Sequence, residues 1–137
     1  MKLNTRVRYG LRLLVELAKA NDIVKLKDVA SKEGISLLYL RQVVVPLEAT
    51  GLVRSVRGAG GGYVLTRSPC EISLFDIVTA LDGPQVLVDC LTDESVCDRV
   101  PSCAARRIWS KLQDSLHSFL KSVTLAEIVK EENKEAK

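Results

Sequence analysis

Apolar residues recur every three or four positions over residues 5–20, where Val7, Leu11, Leu14, Val15 and Ala18 share one side. Arg8, Arg12, Glu16 and Lys19 take the other sides, the period of an amphipathic helix. A second, shorter pattern over residues 26–33 turns Val29 and Ala30 inward and stops at Gly34. Ser36 then reads as the N-cap of a third helix to about residue 48, with Leu40, Val43, Val44 and Leu47 on its core face. Pro46 lies inside that stretch and predicts a kink or an early end. Two short helices joined by a glycine turn make a helix-turn-helix unit.

From Gly51 the period changes from helical to alternating. Residues 52–56 and 63–66 read as two strands around the turn Arg57-Gly58-Ala59-Gly60-Gly61-Gly62, a hairpin that would form a wing behind the helix-turn-helix. Glycines at the tip let backbone approach a phosphate or enter a narrow groove, and Arg57 brings positive charge. A nucleotide-binding glycine loop fails on spacing, because no Lys-Ser/Thr follows and the loop does not open a helix. A purely structural turn stays open as the other reading. A fourth helix follows over residues 73–81, broken by Gly83-Pro84. A polar loop then leads into a helix of about twenty residues over 102–123, ~30 Å long. Its stripe of Ile108, Leu112, Leu116, Phe119 and Val123 is widened by Trp109 and Leu120, more than one small winged domain can cover. A second copy of the chain is the simplest cover. A last short helix is expected over 125–130 and a fraying charged tail over 131–137.

The expected fold is therefore mainly α with a small β-hairpin wing: a winged helix-turn-helix followed by a long C-terminal dimerisation helix. The expected division is a DNA-binding domain at 1–82, a cysteine loop at 83–103, the dimerisation segment at 104–130 and the tail at 131–137. The 137 residues suffice for one such domain plus a dimerisation element. No apolar run is long enough for a membrane span, and the basic start does not read as a signal peptide. A cytoplasmic protein without a membrane partner is expected, and its four cysteines are expected to be reduced.

Charge sharpens the division. Residues 1–67 hold twelve Lys and Arg against five Asp and Glu, a balance of +7; the remainder holds eight against twelve, a balance of −4. A basic half is the footprint of a polyanion binder, DNA or RNA, although a solvated mixed-charge surface has the same composition. The residues placed to meet DNA are Tyr39, Arg41 and Gln42, off the core face of the third helix, with Arg54, Arg57, Gly58 and Gly60 of the wing.

Cys90, Cys97 and Cys103 carry the other candidate chemistry. Their spacing is wider than the paired knuckle of a zinc ribbon and lets the loop wrap an iron–sulfur cluster. Arg99, Arg106 and Arg107 nearby favour thiolates. Thiol redox sensing and incidental thiols are the other readings. Cys70 is expected to pack as a small hydrophobe, and His117 lies ~21 Å along the long helix from Cys103. No nucleotide motif, CxxC or acid–base pair marks an enzyme. A zinc- or thiol-based regulator and a small cluster carrier are the alternatives to a cluster-gated one.

The run GISLLYL from Gly34, the run GLVRSVRGAGGGY from Gly51, the three cysteines and the closing VTLAEIV from Val123 together carry a resemblance. The chain resembles the family of winged-helix transcription regulators that includes the iron–sulfur regulator IscR, with relatives sensing nitric oxide, iron and cysteine status. The resemblance spans nearly the whole chain. It implies a bacterial homodimer on a palindromic promoter site, base contacts from Ser36, Tyr39 and Gln42, wing contacts from Arg57 onward, and a cluster in each protomer, 2Fe–2S first and 4Fe–4S second. Two departures stand out. Arg106 occupies the place of a ligating histidine, and Arg8 the place of a carboxylate that other relatives take from the partner's first helix. The fourth position is therefore open to a loop carboxylate (Asp89, Asp93, Glu94 or Asp98), to solvent or a small molecule, or to another residue of the chain. Arg41 replaces a glutamate that faces DNA, which implies a different preferred operator.

Overall fold

The computed structural model describes residues 2–135. Its first helix, α1 (Thr5–Ala20), starts where the Asn4 side chain accepts from the Val7 N–H and ends at Asn21, a left-handed residue donating to the Leu17 carbonyl. α2 (Leu26–Glu33) stops at Gly34 and α3 (Leu37–Ala49) starts at the Ser36 cap, so the expected helix-turn-helix forms. The hairpin pairs β1 (Val53–Val56) with β2 (Gly62–Leu65), antiparallel, with Val53 opposite Leu65 and Val56 opposite Gly62. α4 (Leu74–Asp82) begins with a reciprocal Ser73–Asp76 capping box. α5 (Ala104–Ser122) and α6 (Leu125–Glu135) complete the chain.

One core holds these elements together. Leu13, Leu14 and Leu17 of α1 meet Leu40 and Leu47 of α3, Ile77 and Leu81 of α4, and Leu52, Ile72 and Leu125, all with 2 % exposure or less. The fold is thus mainly α with a two-stranded wing, as the hydrophobic period requires.

Four details depart from expectation. Pro46 does not end α3, which continues to Ala49. The carbonyl left without a donor belongs to exposed Gln42, where water can reach it, and Thr50 Oγ1 donates to the Pro46 carbonyl at 2.8 Å. The wing strands end a residue away from expectation, although the Thr66 N–H still donates to the Leu52 carbonyl at 3.1 Å. Val24, in the α1–α2 connection, adds an unexpected bridge to Tyr63 through two backbone hydrogen bonds of 2.9 and 2.8 Å. Cys70 does not pack inward: it is exposed, its Sγ 3.0 Å from Ser68 Oγ. Finally, the expected frayed tail is helix as far as Glu135, with Lys19 of α1 3.0 Å from Glu132; residues 136 and 137 lie outside the described residues. α6 returns to α1 because the Leu125 N–H donates to the Ile72 carbonyl at 2.9 Å.

α5 behaves differently from the rest. Only Leu120 of its apolar stripe is buried, while Ile108, Trp109, Leu112 and Phe119 are 40–61 % exposed. Among the described residues no helix is long and apolar enough to cross a membrane.

Candidate nucleic-acid interface and cysteine loop

The outer face of α3 and the wing tip form one candidate site. Ser36 Oγ accepts from the Tyr39 N–H at 3.3 Å, which fixes the start of the helix and leaves the exposed hydroxyl its proton to donate. Arg41 and Gln42 are exposed on the side opposite Leu40, Val43, Val44 and Leu47. Tyr39 is only half-exposed, since its ring packs edge-on to Tyr9 of α1 with centroids 5.6 Å apart. Arg8 and Arg12 lie over the Tyr9 ring at 5.8 and 5.6 Å, so cations surround this aromatic pair. Arg54, Arg57, Gly58 and Gly60 are all exposed on the wing, with Gly58 at φ +109.

Between these parts lies an open depression of about 380 Å³ lined by Lys25, Lys27, Leu37, Arg41 and Tyr63. Lys25 and Lys27 are candidate phosphate contacts that the sequence reading passed over. Their signal was present, two lysines at the entrance to α2, but their proximity to Arg41 and the wing depends on the Val24–Tyr63 bridge.

The cysteine loop folds as three short 3-10 turns, Asp89–Leu91, Glu94–Val96 and Val100–Ser102, none with a buried residue. Cys97 is exposed, Cys90 and Cys103 half-exposed, and all are free thiols. Cys103 is the N-cap of α5: its Sγ accepts from the Arg106 N–H at 3.4 Å. The positive end of a 19-residue helix therefore faces this sulfur, a placement suited to a negatively charged bound group. Arg106 also clasps the loop, donating from Nε to the Cys90 carbonyl at 3.2 Å and pairing with Glu94 at 3.5 Å. Asp93 accepts from Ser95 Oγ and N–H, and these hydrogen bonds, the hydroxyl's first, hold its carboxyl below the usual range. His117 is engaged elsewhere, with Nε2 2.8 Å from the Gln85 carbonyl and its ring against Phe75.

The three Sγ atoms do not gather within 4.8 Å of one another; among the described residues only Glu16, Glu33 and Glu132 make such a group. Lys32 at 2.7 Å and Lys19 at 3.6 Å already neutralise Glu16 there. A single-ion site is thus not preformed at the cysteines. An iron–sulfur cluster places fewer demands on close approach, because its ligands bind different irons. Three free thiols on a reachable loop, one of them at a helix N-terminus, fit such a group chemically.

The chain matches the family model Rrf2, described as an iron-dependent transcriptional regulator, over residues 3–131. The transcriptional regulator CymR of Bacillus subtilis is 40 % identical over 130 residues, 93 % of this chain and 89 % of that protein. A solved structure of CymR, described as the global cysteine regulator of B. subtilis, superposes with a TM-score of 0.79 at 37 % identity, covering 95 % of this chain and 97 % of that one. The structure of IscR from T. potens gives a TM-score of 0.76 at 33 % identity, covering 96 % and 88 %. These relatives are named as regulators, in keeping with the lack of an enzyme's motifs in the sequence.

Proposed function

The chain belongs to the Rrf2 family of transcriptional regulators, and from that premise we propose that it binds a pseudo-palindromic DNA operator as a homodimer whose affinity is set by an iron–sulfur cluster on Cys90, Cys97 and Cys103. The observation that carries the proposal is the connection itself. The cysteine loop ends in the Cys103 cap of α5, and α5 carries an uncovered apolar stripe. Burying that stripe against a second copy of α5 relates the two α3 helices by a twofold axis, so that they enter successive major grooves. Tyr39, Arg41 and Gln42 then face base edges, while Arg54, Arg57 and the glycine tip follow the backbone.

Cys90, Cys97 and Cys103 hold the cluster, and when bound it supplies a redox- and iron-sensitive group. Arg106 keeps the loop closed on α5 through the Cys90 carbonyl and Glu94. A change at the thiols is therefore transmitted to the first turn of α5, and through the dimer to the spacing of the α3 helices. Zinc is disfavoured because the three Sγ atoms are not gathered for a single ion, and the stronger rival to the finer reading is reversible thiol oxidation without a cluster. The exposure of Cys97 and the likeness to a protein described as a cysteine regulator favour that alternative. Anaerobic purification separates them. The cluster reading expects visible absorption with iron and acid-labile sulfide in the protein, lost in the Cys90→Ala variant; a colourless, iron-free protein after anaerobic reconstitution would favour the thiol reading.

A further inference from the structure

The outer face of α3 carries two apolar side chains that no core needs. Leu38 is 66 % exposed and Val45 62 % exposed, the most exposed large hydrophobics among the described residues. Seven residues apart on a helix, they stand about 20° from alignment and ~10.5 Å apart along the axis. Arg41 and Gln42 lie between them, one on each side of the line. The face is thus an alternation of apolar and hydrogen-bonding groups. A protein partner's apolar groove would leave the Arg41 guanidinium and the Gln42 amide desolvated without matching partners. A DNA major groove presents the same alternation, because thymine offers a C5-methyl beside the acceptors and donors of the base edges.

We propose that Leu38 reads a thymine methyl group in the operator, with Val45 as a weaker second apolar contact toward the far end of the helix. This rests on the proposal that α3 enters the major groove of DNA. Leu38 is the second residue of α3, in the amino-terminal turn that reaches base edges most directly. Gln42, one helical turn further on, has the donor and acceptor pair that matches adenine N7 and N6. Leu38 and Gln42 are i,i+4 neighbours, so together they select a thymine next to an adenine or across from it. Arg41 donates to guanine or to phosphate beside them. The DNA partner is therefore specified by its methyl groups as well as by its hydrogen bonds.

The test uses the full chain, prepared anaerobically, and duplexes selected by it from a randomised library. Each thymine of the best duplex is replaced singly by deoxyuridine, which removes one methyl and leaves the hydrogen-bonding edge intact. The expected result is one deoxyuridine position per half-site that weakens binding by about two- to fivefold, the scale of one methyl group returned to water. Leu38→Ala should melt like the parent, weaken binding to the thymine duplex by a similar factor, and lose the sensitivity to that deoxyuridine. Uniform affinity across all deoxyuridine duplexes overturns the proposal, as does a sensitivity that survives in both Leu38→Ala and Val45→Ala. A Leu38→Ala variant that binds the operator as the parent does but changes its oligomeric state also overturns it, making this face a protein interface. If the library yields no enriched sequence, the DNA reading itself falls, a result distinct from operator binding without methyl dependence.

Discussion

Adding a single methyl group at Gly61 should damage the wing. Gly61 is buried at the neck of the hairpin, where its N–H donates to the Gly58 carbonyl at 3.0 Å, and Gly58 completes the turn at φ +109. A Cβ on Gly61 would overlap the Val56 carbonyl oxygen and stand 2.9 Å from the Gly58 oxygen and 3.0 Å from the Arg57 carbonyl carbon. All three are backbone atoms, so no side-chain rotation relieves the clash. The turn must open, which forfeits a hydrogen bond worth ~0.5–1.5 kcal/mol and adds overpacking strain of ~1–3 kcal/mol. A loss of about 3 kcal/mol, the middle of that range, follows, which lowers Tm by roughly 10 °C for a chain of this length. Gly60→Ala is the control, since its Cβ meets nothing within 4 Å and its change should stay within ~0.5 kcal/mol. Calorimetry reads the stability. Anisotropy of a labelled operator between 50 and 200 mM salt reads the function, because a displaced Arg57 should lower the salt slope by about one. If Gly61→Ala melts like Gly60→Ala, the steric argument is wrong. If it is destabilised yet binds with unchanged affinity and slope, the wing does not touch DNA.

Further expectations follow from the same geometry. Arg41→Glu should redirect operator choice by ~1–3 kcal/mol at one or two base pairs, read by competition among single-site operator variants; an equal loss on specific and random DNA would make Arg41 a phosphate contact. Phe119→Arg, placed on the uncovered stripe of α5, should give a monomer by sedimentation with its helical circular dichroism retained, and a variant that remains dimeric would move the interface elsewhere. Glu132 is the first cause of a raised Lys19 pKa, so the stabilisation of the final turns of α6 is complete at neutral pH and is lost as pH climbs past the ordinary lysine range. At neutral pH, Glu132→Gln should cost under ~1 kcal/mol and speed amide exchange in residues 130–134 alone.

Sequence reading succeeded where the determinants are local and ran out where they are not. The Ser36 cap and the helical period of α1 to α4 depend on contacts three or four residues away and appear where the pattern placed them, while the Asn4 and Ser73 caps, equally local, are added by the structure. The bridge from Val24 to Tyr63 was not legible, because its partners lie almost forty residues apart. The helix beyond Glu131 was hidden for the same reason: its polar sequence says fraying, and only the approach of α1 brings Lys19 to Glu132. Cys70 follows Pro69 in a 3-10 turn that turns its thiol outward, a direction that residue type does not encode. For the site, the cysteine spacing names candidate donors but not their approach, because the loop turns are closed by Arg106, whose reach to Cys90 spans sixteen residues. Tyr39 was legible as an α3 residue off the core face, whereas its packing on Tyr9 depends on the angle between α1 and α3.

The central claim is that the three cysteines control DNA affinity. It is tested most directly by titrating one selected operator, at fixed salt and without oxygen, with the iron-loaded protein and with the Cys90→Ala, Cys97→Ala, Cys103→Ala triple variant. The account predicts two folded dimers whose dissociation constants for that operator differ by about tenfold or more, the scale of an allosteric coupling of 1–3 kcal/mol. Equal dissociation constants for the two proteins would contradict it.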